Sequence, residues 1–376
     1  MSTPESTMEV PTDARKSTVV PRPPIKFLVG IEDKPYFHWQ LPILAESLCN
    51  KIPEGWELLV VISNNHAPLS EDLTRILVTY DLTYFTAPNH AATHAIDFSE
   101  SPKGYLAWNR IQPLAAVAEH VNNDDLVCLM DTDIFLYQDL NLGIFPTGNA
   151  LGENWHIKKE PFFSSDENPK GIHLQTLLKA IGCSQPFKPG GVFVFLTGKT
   201  IKNAKFVQDC FRFTQILYLA GKIADQTKEK IWMVEMPCFA LALTANGIQY
   251  DLINPPEFGV KFHDDEVISS GSFYHYYRKR TEDHAGAFYE SPWCKGDFFA
   301  SNLLEANLDE FYAVARTDQE QYFFQLARTA KQKLGLSTRA SQPCRRLPPT
   351  QTPDSILEWV KTYQGQFSGK NGAHAV

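Results

Sequence analysis

The sequence predicts an α/β protein built on a mostly parallel, Rossmann-type sheet flanked by helices. Two observations carry this. Over the first 140 or so residues, short apolar runs alternate with longer segments of helical spacing, and strands separated by helices imply parallel pairing through crossovers. The chain is also long enough: 376 residues suit one large α/β domain with additions, or two domains. An apolar share of 43% and a charged share of 21%, with 25 Phe and 14 Tyr, can furnish a sizeable core.

The elements follow in order. "IKFLVGI" (25–31) reads as a buried strand, and "HWQLPILAESLCNKI" after it has helical spacing. "WELLVVIS" (56–63) is a second strand. "SEDLTRILVTY" is a helix with Ser70 as N-cap and Glu71 and Asp72 in its first turn. "LTYFTAP" is a third strand, "GYLAWNRIQPLAAVAEHV" a helix interrupted at Pro113, and "LVCLMD" the fourth strand. The second half is mixed α+β. "GGVFVFLT" (190–197) is a strand, "GKTIKNAKFVQDCFRFTQILYLAGK" one long helix, and "EMPCFALALTANG" a helix starting near Pro237 and stopping at Gly247. "YDLIN" and "GSFYHYY" are later strands, and 307–335 forms closing helices. Residues 1–24 and 337–376, rich in Ser, Thr and Pro, are expected to be mobile, which leaves a folded unit over 25–336.

Charge and cysteine usage narrow the function. A formal net charge of −8 argues against a general nucleic-acid binder, which needs a basic face for phosphates. The seven cysteines are dispersed, odd in number and without a CxxC pair. They read as reduced thiols rather than a disulfide frame or a zinc site. With no leader-like apolar core near the start and no apolar run of about 20 residues, cytoplasmic residence and no membrane span are the expectation.

The chemistry concentrates in "DDLVCLMDTDIFL" (124–136). An apolar strand ends in Asp131 and Asp133, with Thr132 between them. Ligands of open parallel sheets gather at the carboxyl ends of strands, and in extended chain positions i and i+2 point the same way. Both carboxylates can then face one hard cation, magnesium or manganese, which could bridge a diphosphate. The same pattern also suits acids that cap a turn or the next helix.

"LVCLMDTDIFL" resembles the DxD strand of GT-A-type glycosyltransferases. "YFHWQLPILAESL" (36–48) and "GYLAWNRIQPL" (104–114) are similar to segments of the peptidyl serine galactosyltransferase and hydroxyproline arabinosyltransferase group. Ile111–Gln112–Pro113 stands here where that group tends to place Pro directly after Arg. The resemblance implies a GT-A-like fold with a donor half at about 25–140 and a mixed acceptor half at about 141–336. It also implies Mn2+ or Mg2+, a nucleotide-diphosphate sugar as donor (UDP-sugar foremost), and a hydroxyl acceptor, a sugar or a peptide Ser or hydroxyproline.

It further implies roles. Asp131 and Asp133 hold the metal, with His275 as third ligand and His263 and His284 as competitors. Asn109 and Arg110 line the donor cleft, where the guanidinium fork suits phosphate; a solvated surface arginine is the alternative. Glu32 meets the ribose or base, against the alternative of a plain "EDKP" turn with Asp33. Gly190 and Gly191 let backbone approach the sugar, or simply make a tight turn. Glu235 faces the acceptor as general base, or is a dipole-favoured acid at a helix start. Arg278, Lys279, Arg280 and Lys295 could add charge for a diphosphate. Trp108, Trp155, Trp232 and Trp293 could stack on a sugar or base, though core packing is their more ordinary use.

Two rival readings use the same residues. A haloacid-dehalogenase-like phosphatase would take Asp131 as nucleophile with magnesium. There the motif usually opens the fold, whereas three strands precede it here, and the further acid pair would have to be "HDDE" (263–266). A non-catalytic sugar-binding protein of GT-A fold would keep the sheet and lose the metal.

Overall fold

A computed structural model describes residues 24–52, 54–89, 108–140, 143, 145–153, 174–182, 190–223, 235–253, 260–262, 273–275, 298, 301–315 and 318–338. All but residues 24, 337 and 338 of the proposed mobile ends, and the candidates at 155, 232, 263–266, 278–280, 284, 293 and 295, lie outside these residues. The strands are β1 Ile25–Ile31, β2 Trp56–Ser63, β3 Thr83–Ala87, β4 Leu126–Leu129, β5 Ile134–Leu136, β6 Ala150–Glu153, β7 Gly190–Thr197, β8 Asp251–Ile253, β9 Val260–Phe262 and β10 Phe273–His275. Seven form one sheet in the order β3-β2-β1-β4-β7-β6-β8, and β5-β10-β9 form a second. Strands β3, β2, β1 and β4 are mutually parallel, while β7 runs antiparallel to both β4 and β6. The chain is thus α/β with a mostly parallel sheet.

Strand residues alternate between two apolar layers. Phe27, Val29, Ile31, Val60, Ile62 and Cys128 join one core; Leu28, Leu59, Val61, Val127 and Leu129 join the other. Both faces are covered, which is why these strands are continuous apolar runs in the sequence. Helix α1, Pro35–Lys51, packs in the first layer with α2, Glu71–Thr79, as does α9, Asp318–Lys333. The second layer contains α3, Trp108–Val117, α4, Leu174–Ala180, α6, Ala204–Ile223, and α7, Glu235–Ala245. Helix α7 is apolar on all sides and buried along most of its length, as expected of a helix enclosed in core.

Local chemistry explains the ends. Ser70 caps α2 as expected, its Oγ accepting from Leu73 N at 3.2 Å. Gly247 leaves α7 at φ 65°, a left-handed turn that suits glycine. The long helix expected from Gly198 is instead two: α5, Gly198–Ile201, and α6. Asn203 separates them, its Oδ1 accepting from Lys205 N at 3.1 Å and Phe206 N at 3.3 Å, so its side chain caps the second helix. Helix α7 begins at Glu235, ahead of Pro237, which occupies its first turn without costing a bond. Helix α3 runs on through Pro113 rather than breaking there. Pro113 would bond back to Asn109 in the first turn, so a single helix bond is lost near one end. A short helix, α8 Leu308–Val314, precedes α9.

Candidate active site

Strand β4 ends at Leu129, but Met130 N still donates to Leu28 O at 3.0 Å. This contact carries the chain alongside β1 for one more residue and sets Asp131 at the carboxyl edge of the parallel strands, where β1 gives way to Glu32. The extended DxD expected from the sequence is then a turn at Thr132–Asp133. Thr132 is drawn inward: its Oγ1 donates to Gln40 Oε1 of α1 at 2.7 Å, and both residues are buried. The side chain of Asp131 is 36% exposed, whereas Asp133 is 8% exposed.

From the opposite face of the sheet, α3 presents Arg110, 7% exposed. Its Nε lies 3.5 Å from Asp131 Oδ1, and its Nη1 lies 3.6 Å from Glu235 Oε1. Glu235 is itself buried at the first residue of α7, where the helix dipole favours an acid. Burial by itself would make the guanidinium easier to deprotonate. The Asp131 and Glu235 carboxylates outweigh burial and raise its pKa further, so Arg110 is a fixed cation. Arg110 is therefore no solvated surface arginine but the link between Asp131 and Glu235.

The loop after β1 carries two acids with different surroundings. Glu32 is buried and accepts from Asn89 Nδ2 at 2.8 Å and from Lys34 Nζ. Asp33 accepts from Ser70 N and Ser70 Oγ, both at 2.7 Å, and its Oδ1 lies 2.8 Å from His38 Nε2. Burial raises the Asp33 pKa, but the bonds from Ser70 and His38 outweigh this and hold it below the ordinary carboxylate value. Asp33 thus fastens the β1 loop to the start of α2.

For Asn109, Gly190, Gly191 and His275 the structure gives the course of the backbone. Asn109 adjoins Arg110 on α3. Strand β7 is antiparallel to β4, with Val194 opposite Leu129. Its first residues, Gly190 and Gly191, therefore run past the end of β4 on the side where Asp131 emerges, and Gly190 pairs with Glu153. In the second sheet His275 pairs with Ile134, the residue after Asp133. Long connections bring these segments to one edge: Glu32, Arg110, Asp131, Asp133, Gly190 and His275 converge in backbone terms. Gln40 and the Asp33–Ser70 tie were not expected from the sequence. A lone amide among apolar neighbours in 39–45 was the available signal for Gln40.

Asp131 and Asp133 are hard oxygen donors, the kind that manganese and magnesium prefer. A divalent ion would share Asp131 with Arg110. Among the described residues no group of three or more His, Cys, Asp and Glu side chains lies close enough to hold a metal. The donor set fits an ion that takes two protein carboxylates and fills its remaining positions from water and substrate phosphate, as magnesium-type ions do. Among the described residues no helix is long and apolar enough to cross a membrane.

No family model matches the chain, and no curated protein matches it. Solved structures do align with it at low identity. The galactosyltransferase LgtC, in complex with donor and acceptor sugar analogs, is 13% identical, with a TM-score of 0.43 over 80% of this chain and 100% of that one. The bifunctional glycosyltransferase WbbM in its apo form is 12% identical, with a TM-score of 0.42 over 82% of this chain and 52% of that one. The glycosyltransferase GlyE of Streptococcus pneumoniae TIGR4, also in apo form, is 10% identical, with a TM-score of 0.42 over 83% and 62%. At these scores and identities the likeness leaves the function to be argued from the residues.

Proposed function

We propose that this chain is a metal-dependent glycosyltransferase of GT-A type, transferring a hexosyl or pentosyl unit from a nucleotide-diphosphate sugar to a hydroxyl acceptor. One observation carries the proposal: Asp131 and Asp133 lie at the carboxyl edge of a parallel sheet, with a buried arginine already bound to the first of them. That edge is where α/β sheets hold nucleotides. An acid pair beside a fixed cation suits a charged diphosphate better than a neutral metabolite. The DxD resemblance points the same way.

In this reading Asp131 and Asp133 are metal ligands, with His275 as the third. A bound Mn2+ or Mg2+ would offset charge on the leaving diphosphate. Arg110 would turn part of its fork from Asp131 to a phosphate oxygen, with Glu235 holding its other arm in register. Glu32 would exchange its bond to Asn89 or Lys34 for a ribose hydroxyl, and Asn109 would line the same cleft. Gly190 and Gly191 would let sugar and acceptor approach the backbone. Glu235 is 4% exposed. It acts through Arg110 in this conformation and can serve as acceptor base only where the cleft opens to it. A peptide Ser or hydroxyproline is the acceptor that the resemblance favours, and UDP the nucleotide.

Thermal shift with UDP, GDP and CDP, with Mn2+ or with chelator, tests the proposal. One nucleotide should raise the melting temperature only with metal, and Asp131→Asn and Asp133→Ala should each erase that rise. Equal protection in chelator would remove the metal from the mechanism. No protection by any nucleotide, together with no donor hydrolysis, would favour a sugar-binding protein without catalysis.

A further inference from the structure

Away from the acidic loop, the structure has an open cleft of about 570 Å³ between the end of α1, the strap after β5 and the first turns of α9. Its size falls among small-molecule sites, roughly 300–1,000 Å³. Helix α1 separates it from the candidate active site. Gln40 touches Thr132, and Lys51, the last residue of the helix, lines the cleft. About 16 Å of helix lies between them. We propose that this cleft is a non-catalytic binding site for a neutral oligosaccharide.

The wall formed by α9 is one helix face. Asp318, Gln321, Tyr322 and Gln325 recur at i, i+3, i+4 and i+7 and all line the cleft. Opposite stands Tyr137, whose ring meets that of Tyr322 edge-on, with centroids 5.6 Å apart at 72°. Two amphipathic rings thus line the cleft and offer apolar surface to a pyranose, while the Tyr322 hydroxyl itself is buried. Burial raises the pKa of both, Tyr322 to about 12, so both rings stay neutral at physiological pH.

The remaining lining selects among ligand classes. The amides of Gln321 and Gln325 both donate and accept, the carboxylates of Asp139 and Asp318 accept, and Lys51 donates. Sugar hydroxyls, which do both, can satisfy such a mixture. An apolar ligand would strand these groups. An anion would meet two carboxylates, and the cleft's cation is already engaged: Lys51 Nζ lies 3.2 Å from Asp139 Oδ1 and 5.1 Å from the Tyr322 ring centroid.

The site goes beyond the proposed transfer reaction and is tested apart from it. Full-length protein is titrated with maltotriose, cellotriose and galactotriose, without nucleotide or metal, by calorimetry and saturation-transfer NMR. At least one should bind with a dissociation constant at or below about 1 mM, and Gln321→Ala and Tyr322→Ala should each weaken it tenfold or more. Gln321→Ala removes only a half-buried amide, so it keeps the test valid should Tyr322→Ala unfold. Asp133→Ala, which should abolish transfer, should leave this binding unchanged. The site is refuted if none of the three binds at about 10 mM, if binding is indifferent to Gln321→Ala, or if Asp133→Ala abolishes it.

Discussion

Arg110 Nη1 lies 3.6 Å from Glu235 Oε1, and both side chains are nearly closed to solvent. Removing one member of such a pair takes a charge partner away from a buried ion. Arg110→Met should therefore lower stability by about 3–5 kcal/mol. Glu235→Gln keeps the shape and leaves Arg110 with Asp131, so its loss should be nearer about 1–2 kcal/mol. The double variant should lose less than the sum. Urea unfolding of the three variants measures this, and simple additivity would show that the two side chains do not act together.

The buried bond from Thr132 to Gln40 invites a second cycle. Gln40→Leu and Thr132→Val should each cost about 1–3 kcal/mol, because each removes a buried hydrogen bond, while the double variant should recover part of that loss. If the bond sets the acidic turn, Gln40→Leu should also weaken metal-dependent nucleotide protection more than its stability loss accounts for.

Acid should expose the role of Asp33. Its pKa is lowered in the folded state, so its contribution is fully present above the unfolded value of 3.8 and is lost as pH falls through the lower folded value. Melting temperature followed from pH 7 downward should fall in that acid range. Asp33→Asn should start lower at neutral pH and show a shallower acid decline. An unchanged acid limb would move the effect to other carboxylates.

Gly198 follows β7 directly. A Cβ there would sit 1.8 Å from Asn122 O, while Gly198 N donates to Asp125 O at 2.9 Å. Backbone must shift to admit a methyl group, so Gly198→Ala should cost at least about 1–3 kcal/mol, read by chemical denaturation.

Much of the scaffold was legible in the sequence because it rests on local patterns. The runs 25–31 and 56–63 became strands with the expected ends, since a strand covered on both faces must be apolar throughout. The break at Asn203 was missed because apolar spacing continues across it, while the cap depends on one side chain turning back on the chain. The acidic motif stood out because carboxylates beside core are costly. Arg110 and Glu235 were named through the family resemblance, but their pairing with each other and with Asp131, and the bond of Gln40 to Thr132, arise only through tertiary packing, which no spacing encodes.

The position of β4 has a consequence for how the protein is made. The strand is paired on one side by β1, synthesised earlier, and on the other by β7, synthesised later. Until Gly190–Thr197 leaves the ribosome, "LVCL" presents an apolar strand with one side unpaired, the arrangement most prone to join with other chains. A nascent chain stalled before residue 190 should therefore need chaperone cover, and should become protease-resistant as a unit only once β7 has docked.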